Sequence, residues 1–377
     1  MPWQEVSTMS LRYEFVKLAS QEDANMTQLC QRFGISRKTG YKWLDRYLAQ
    51  GKGGLHDQSR RPVDSPYKTA PQLEKAIVAL RRRHPEWGGR KLRKRLLMLG
   101  HREVPTASTI TGILHRHGLI EPEESVKHQT WKRFEHDTPN QLWQMDFKGH
   151  FPLFNGRCHP LTVLDDHARF NLCLQACANE KGDTVQRALT ATFRCYGLPE
   201  RMTMDNGAPW GLSAAHPYTP LTVWLIRLGI GVSHSRPYHP QTQGKDERFH
   251  RTLQAELLRY HVFHDLAHCQ RHFNAWRDIY NLERPHEALD MDVPANRYQP
   301  SPRPFPEALP PIEYGPDDHV RKVQGKGEIH FRGYTFLVGK SFHGYPVALR
   351  PRSKDGCFSV YFCHQHVIDI DLRNPTR

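Results

Sequence analysis

A change of hydrophobic period near Asn140 constrains this chain more than any other feature. Before it, apolar residues recur at helical spacing, three to four apart. After it, short apolar runs alternate with amphipathic segments, the order of an α/β sheet. Trp143–Phe147, Pro160–Leu164 and Asn171–Ala176 read as three early strands separated by turn residues. Val185, Leu189 and Phe193 then mark a helix over Thr184–Tyr196. Arg201–Met204 predicts another strand, Leu221–Leu228 a helix, and Gly231–Ser235 a return to the sheet. Hairpins followed by β-α units predict a mixed sheet within residues 138–299. A chain of 377 residues exceeds one ordinary core, so several domains are expected.

Charge divides the chain at the same place. Of the net +14, residues 1–137 hold +10, from 25 Lys/Arg against 15 Asp/Glu. Residues 138–310 are close to neutral, and the remainder holds +3. The excess predicts an N-terminal arm that binds a polyanion, joined to a nearly neutral core. The eight cysteines form no CxxC, which argues against a disulfide framework or four-ligand zinc and for a reducing cytoplasm. His264 and His268 have metal-like spacing, but without paired cysteines they read as helix-surface histidines. No apolar run reaches membrane-spanning length, so no membrane partner is expected.

The arm reads as two all-α helix-turn-helix units, over 1–56 and 72–125, with linkers at 57–71 and 126–137. In the first, Thr27 is expected to cap a helix, Gly34 to supply the turn and Ser36 to cap the second helix. Tyr41, Leu44, Tyr47 and Leu48 recur at helical spacing and are expected to face the core. Arg37 and Lys38 fall in the first turn of that second helix, where positive charge opposes the helix dipole. A bound anion would compensate, so Arg37, Lys38, Tyr41 and Lys42 are candidate DNA contacts. The second unit places Arg90, Lys91, Arg93 and Lys94 on one basic helix, as candidate phosphate contacts. At the other end, residues 300–311 form a Pro-rich linker. Six short strands in 312–377 predict a small β-barrel.

The chemistry gathers around three separated carboxylates. Asp146 lies in Leu142-Trp-Gln-Met-Asp-Phe147 and Asp205 in Arg201-Met-Thr-Met-Asp-Asn-Gly207, both where strands are expected to end. Glu247 lies in Tyr238-His-Pro-Gln-Thr-Gln-Gly-Lys-Asp-Glu-Arg-Phe-His-Arg-Thr-Leu253, where a loop enters a helix. Hard divalent cations take anionic oxygen ligands and leave room for water and phosphate, so carboxylates in a basic chain point to metal-assisted phosphoryl transfer on nucleic acid. Each also has a plain alternative. Asp146 would simply end a strand, Asp205 would serve the Asn-Gly turn, and Glu247 would pair with Arg251 on a helix surface. Asp165 and Asp166 compete as a carboxylate pair and read as hairpin-turn caps.

The order Trp143-Gln-Met-Asp146, Met204-Asp-Asn-Gly207, Gly244-Lys-Asp-Glu-Arg-Phe-His-Arg251 resembles the signature of the integrase-like DDE insertion-sequence transposases. The 41 residues between Asp205 and Glu247 make a longer spacing than in the best-known members. The excess fits a surface insertion in Gly207–Tyr218, and Asp246 and Glu256 fit the motif less well than Glu247. The resemblance implies a ribonuclease H-like core, shared with retroviral integrases. It implies that Asp146, Asp205 and Glu247 hold two Mg²⁺ ions, with Mn²⁺ able to substitute, and that Lys245 and Arg248 position phosphates. It further implies binding to terminal inverted repeats on double-stranded DNA, cleavage and strand transfer, a homo-oligomer on the DNA, and a cytoplasmic, nucleoid-associated protein. A sequence-specific DNA-binding regulator with a non-cutting core, and a nuclease without strand transfer, are the alternative readings.

Overall fold

The computed structural model describes residues 7–59, 68–120, 136–211, 217–234 and 244–373. It divides into two units, Met1–Lys68 and Thr69–Arg377. The first contains helices α1 (Thr8–Ala19), α2 (Met26–Arg32) and α3 (Arg37–Gln50), with a 3-10 turn over Gly51–Leu55. Ser36 caps α3 as expected, accepting from the Thr39 amide. The cap of α2 is Asn25 rather than Thr27: Asn25 is extended and accepts from the amides of Thr27 and Gln28, whereas Thr27 already lies in the first turn. Gly34, at φ +64°, makes the turn between α2 and α3.

The expected core stripe on α3 is met in part: Leu44 and Tyr47 pack against the core. Trp43 is buried, while Tyr41 and Leu48 are 45% and 71% exposed. The cause is a close crossing at Gly40, where a Cβ would lie 2.6 Å from Cys30 Sγ and 2.9 Å from Phe15. That approach turns the Gly40–Trp43 face inward, against Phe15, Val16, Cys30 and Leu55. Leu55 belongs to this core, so the linker begins after it.

The second unit begins with α4 (Pro71–Arg83), α5 (Gly89–Met98) and α6 (Ala107–Arg116). They enclose Ile77, Leu80, Trp87, Leu92, Leu96, Ile110, Ile113 and Leu114. Here too a glycine sits at the crossing: a Cβ on Gly89 would lie 2.5 Å from the Ala107 carbonyl.

The central sheet contains β1 (Leu142–Phe147), β2 (Phe151–Leu153), β3 (Gly156–Asp165), β4 (Asn171–Cys177), β5 (Arg201–Met204) and β6 (Gly231–His234). β1 is central, antiparallel to β3 and parallel to β5, and β5 is parallel to β6. β4 pairs with the outer side of β3. Two helices on one side, α7 (Gly182–Tyr196) and α8 (Pro220–Arg227), bury Leu189, Phe193, Leu225 and Ile226. On the other side α9 (Gly244–Leu253) and α10 (Leu266–Asp278) bury Phe249, Leu253, Phe273 and Trp276 against Leu164 and Leu174. A mixed sheet covered on both faces is the expected ribonuclease H-like layout.

The tail differs from expectation. Strands β7 (His319–Lys322), β10 (Pro346–Pro351), β11 (Cys357–Phe362) and β12 (Gln365–Asp371) form one antiparallel sheet in the order β12-β11-β10-β7. β8 (Glu328–Phe331) and β9 (Tyr334–Leu337) form a separate hairpin. No closed barrel exists among the described residues. Strands β12 and β7 end the four-stranded sheet and β8 and β9 pair with each other, so the ladder does not run round a closed circuit among the described residues. The two sheets instead bury Phe331, Phe336, Phe342, Phe358 and Phe362 in one cluster that continues into the central core. The Pro-rich segment 300–311 is a strap rather than a free linker. Ser301 N donates to Tyr196 O at 2.8 Å, and the Arg303 guanidinium donates to the carbonyls of Pro199 and Gly229, each at 2.7 Å.

Candidate active site

The register of β1 on β5 pairs Gln144 with Thr203. Extended by two residues, it sets Asp146 opposite Asp205, on adjacent strands about 4.8 Å apart. Asp205 directly follows β5, and its Oδ1 accepts from the Gly207 amide at 3.0 Å. The turn chemistry expected of an Asp-Asn-Gly sequence is therefore present, and the carboxylate remains partly exposed beside Asp146. Burial pushes the Asp146 carboxyl up to about 7, and repulsion from Asp205, Glu180 and Glu247 adds to it. A carboxyl that burial and acidic neighbours hold against ionisation is one that a divalent cation would relieve.

Glu247 lies exposed in the first turn of α9. Among the described residues, no three metal-donor side chains already form a closed site. Carboxylates such as Asp146 and Asp205 on neighbouring strand ends are the donor type that a hard cation takes. The Tyr238–Gln243 portion of the motif lies outside the described residues. Of the competing carboxylates, Glu256 is committed elsewhere: Arg284 Nε lies 2.8 Å from it and Lys91 Nζ 4.0 Å. Asp246 is fully buried, and neither of its oxygens has a hydrogen-bond partner among the described residues. Burial drives its carboxyl well upward, with Asp146 and Asp166 repelling it further.

Two ties join α9 to β1. In the first, the Thr162 hydroxyl donates to the Asp146 carbonyl at 3.0 Å and lies 2.9 Å from His250 Nε2. A hydroxyl has one proton, so His250 Nε2–H is the donor in the second contact. Burial, with Lys148 nearby, lowers His250 to about 4 and keeps it neutral. In the second tie, Lys245 forms an ion pair with Asp166. This corrects two expectations. Lys245 is largely buried and paired with a carboxylate instead of facing phosphate. Asp166 is no turn cap; that role falls to Asp165, which accepts from the Ala168 and Asn140 amides, each at 2.7 Å. Sequence reasoning missed Thr162, His250 and Gln144 because their partners lie far away along the chain.

The DNA-contact candidates divide. Arg37, Lys38, Tyr41 and Lys42 are all exposed on the first half of α3, and Arg248 is exposed on α9. On α5 the basic face meets acidic residues of the core. Arg90 lies 3.1 Å from Glu287, Lys91 4.0 Å from Glu256 and Arg95 2.6 Å from Glu283. Burial, with Arg284 close by, lowers Lys91 to about 8, a poor setting for a phosphate contact. Arg93 stays exposed and donates to Pro105 O, and Lys94 is partly exposed. His268 Nε2 and His272 Nε2 lie 3.1 Å apart, and with His264 they form no three-ligand cluster.

Comparison with known families matches residues 11–62 to a helix-turn-helix domain and 39–114 to a homeodomain-like domain. The integrase core domain matches at 136–240 and again at 228–294, and the C-terminal domain of IS481 family transposases at 318–377. Similar proteins include the uncharacterized 31.7 kDa protein of insertion element IS407 from Burkholderia multivorans, 31% identical over 158 residues. That alignment covers 42% of this chain and 54% of the relative, about half its length. The uncharacterized 39.2 kDa protein of IS476 from Xanthomonas euvesicatoria is 24% identical over 269 residues, covering 70% of this chain and 75% of the relative. Among solved structures, the simian T-cell lymphotropic virus intasome covers 78% of this chain and 99% of its own, at 16% identity and a TM-score of 0.38. The HTLV-2 integrase catalytic core in complex with magnesium covers 43% and 99%, at 16% identity and a TM-score of 0.34. The family matches bear out the resemblance to integrase-like insertion-sequence transposases, and with it the helix-turn-helix and integrase-core domains.

Proposed function

We propose that this chain, an integrase-like insertion-sequence transposase by the domains it carries, is a polynucleotidyl transferase that binds the terminal inverted repeats of a mobile element, cuts there and joins the ends to target DNA. The observation that carries the reading is Asp146 beside Asp205 at the ends of two neighbouring central strands, with α9 tied to Asp146 through His250 and Thr162. Asp146, Asp205 and Glu247 would hold two Mg²⁺ ions, or Mn²⁺ in their place. When bound, such ions activate a water or 3′-hydroxyl and stabilise the leaving 3′-oxygen.

The chain's own residues supply binding and orientation. Asp146 and Asp205 sit on strand ends that cannot move independently of the sheet. Neutral His250, through Thr162, holds the Asp146 backbone to α9. Exposed Arg248 is suited to hold a phosphate beside Glu247. Arg37, Lys38, Tyr41 and Lys42 would meet the terminal repeat through α3. Two DNA ends and a target call for more than one copy, so a homo-oligomer on the DNA is part of the reading. The protein would work on the nucleoid, in the cytoplasm. Among the described residues, no helix is long and apolar enough to cross a membrane.

The test is Mg²⁺-dependent cleavage and strand transfer on a labelled duplex carrying the repeat that flanks the coding region. Asp146→Asn, Asp205→Asn and Glu247→Gln keep shape and remove one charge each. Each is expected to fold, to bind the duplex with nearly wild-type affinity, and to lose both activities. Wild-type cleavage by the Asp146 or Asp205 variant would defeat the reading.

A further inference from the structure

Lys245 stands two residues before Glu247, in the first turn of α9. Its side chain is 17% exposed and that of its partner Asp166 is 3% exposed. The ammonium also donates to the Asp166 carbonyl at 3.1 Å. Asp166 in turn grips β1. Its Oδ1 accepts from Gln144 Nε2 at 2.7 Å, and its backbone N–H donates to Leu142 O at 2.9 Å. Its Oδ2 accepts from the His136 amide at 3.0 Å. Gln144 and Asp146 are two apart on β1 and so share a face. One buried carboxylate therefore links the strand that bears Asp146 to the helical turn that bears Glu247.

A buried ion pair is an inefficient way to add stability, because both ions lose hydration; its best-attested use is to fix register. The register at stake here is that of α9 against β1. A helix start has few backbone bonds of its own, since its first amides lack partners within the helix. Without a fixed point, the first turn of α9 would rotate or fray, and Glu247 with it. We infer that Lys245 and Asp166 are positioning residues, which hold the first turn of α9 so that Glu247 is presented to Asp146 and Asp205. The inference rests on the reading of Glu247 as the third ligand. It assigns Lys245 a role toward the metal site in place of phosphate contact.

The experiment uses the full chain and Mn²⁺ as the probe, with binding measured by calorimetry and paramagnetic resonance, so that no DNA is needed. Lys245→Met and Asp166→Asn are each expected to weaken Mn²⁺ binding by about tenfold or more, the range typical of lost outer-shell support. In cleavage assays the Mg²⁺ concentration for half-maximal rate should rise by a similar factor, with a smaller change in the rate at saturating Mg²⁺. Exchanging the pair, Lys245→Asp with Asp166→Lys, is expected to recover part of the affinity. Should a single variant misfold, Lys245→Met with Asp166→Leu replaces the pair by apolar packing; it is expected to fold and still bind Mn²⁺ weakly. Wild-type Mn²⁺ affinity in any folded variant lacking the pair overturns the inference. Glu247→Gln separates the two claims. If it abolishes tight Mn²⁺ binding while Lys245→Met does not, positioning alone fails. If Glu247→Gln binds Mn²⁺ normally, the ligand reading falls, and the inference with it.

Discussion

The carboxyl of Asp146 is half-buried and that of Asp246 fully buried, and burial is the first cause of the upward displacement in each. A carboxyl with a higher pKa in the folded state binds its proton more tightly there. Its contribution to stability is complete below the unfolded pKa, about 4, and is lost as pH rises through the folded one. For Asp146 that window runs up to about 7. At ~1.4 kcal/mol per tenfold change in proton affinity, the loss amounts to a few kcal/mol. In EDTA, the melting temperature of the wild-type chain is therefore expected to fall between pH 4.5 and 7.5 by more than that of Asp146→Asn. Parallel curves for the two proteins would show that Asp146 is not held in this way. Divalent cation should flatten the wild-type curve, because the ionised carboxylate then has a partner.

At the scale of elements, α5 is a basic helix whose charge is largely used inside the molecule. Arg95, with a side chain 16% exposed, meets Glu283, and the core's Glu256 and Glu287 take Lys91 and Arg90. Removing one partner of a part-buried pair leaves the other charge unmatched. Arg95→Ala is expected to lower stability by ~1–3 kcal/mol, read as a shifted urea midpoint. Lys94→Ala should leave the midpoint alone and, if it meets a phosphate, reduce the salt dependence of DNA binding by about one ion. The reverse pattern would mean that α5 is a DNA reader after all. The helix crossings make a second case. Ala is normally favoured over Gly within a helix by about 1 kcal/mol. At Gly40 the new methyl would meet Cys30 and Phe15, so Gly40→Ala is expected to destabilise the first unit despite that preference.

At the scale of the molecule, the tail and the central sheet share one apolar core. Val347, Leu349, Phe358 and Phe362 belong to the same buried cluster as Met145, Met202 and Ile226. Polar ties reinforce it. Tyr218 OH donates to His366 O at 3.1 Å, Ser341 Oγ donates to Tyr218 O at 2.7 Å, and Val232 N donates to Gln365 Oε1 at 3.3 Å. Tyr218 stands just before α8, so the tail is tied to the start of a helix that packs on the central sheet. Ending the chain at residue 311 would leave that apolar surface in water, at roughly 25 cal/mol per Å². The shortened protein is expected to bind a hydrophobic dye and to be cut by protease faster than the full chain. A truncated chain that melts cooperatively at the wild-type temperature would show the tail to be an independent domain.

The sequence by itself pointed to many of the elements and nominated three candidate carboxylates. Arg201–Met204 was readable to the residue, because a period-2 run bounded by turn residues is a local signal. The order of strands and helices was enough to lay out the central sheet, and the motif wording was enough to single out Asp146, Asp205 and Glu247. Tertiary structure alone decided what each charge faces. Lys245 and Lys91 look like surface cations in a basic chain, yet each meets a carboxylate distant in sequence. Asp165 and Asp166 are adjacent and chemically identical, and successive residues diverge in direction, so one caps a turn while the other joins β1 to α9. Barrel or open sheet, linker or strap, were likewise settled by which apolar faces meet. Periodicity reports that a face is apolar; it does not report what covers it.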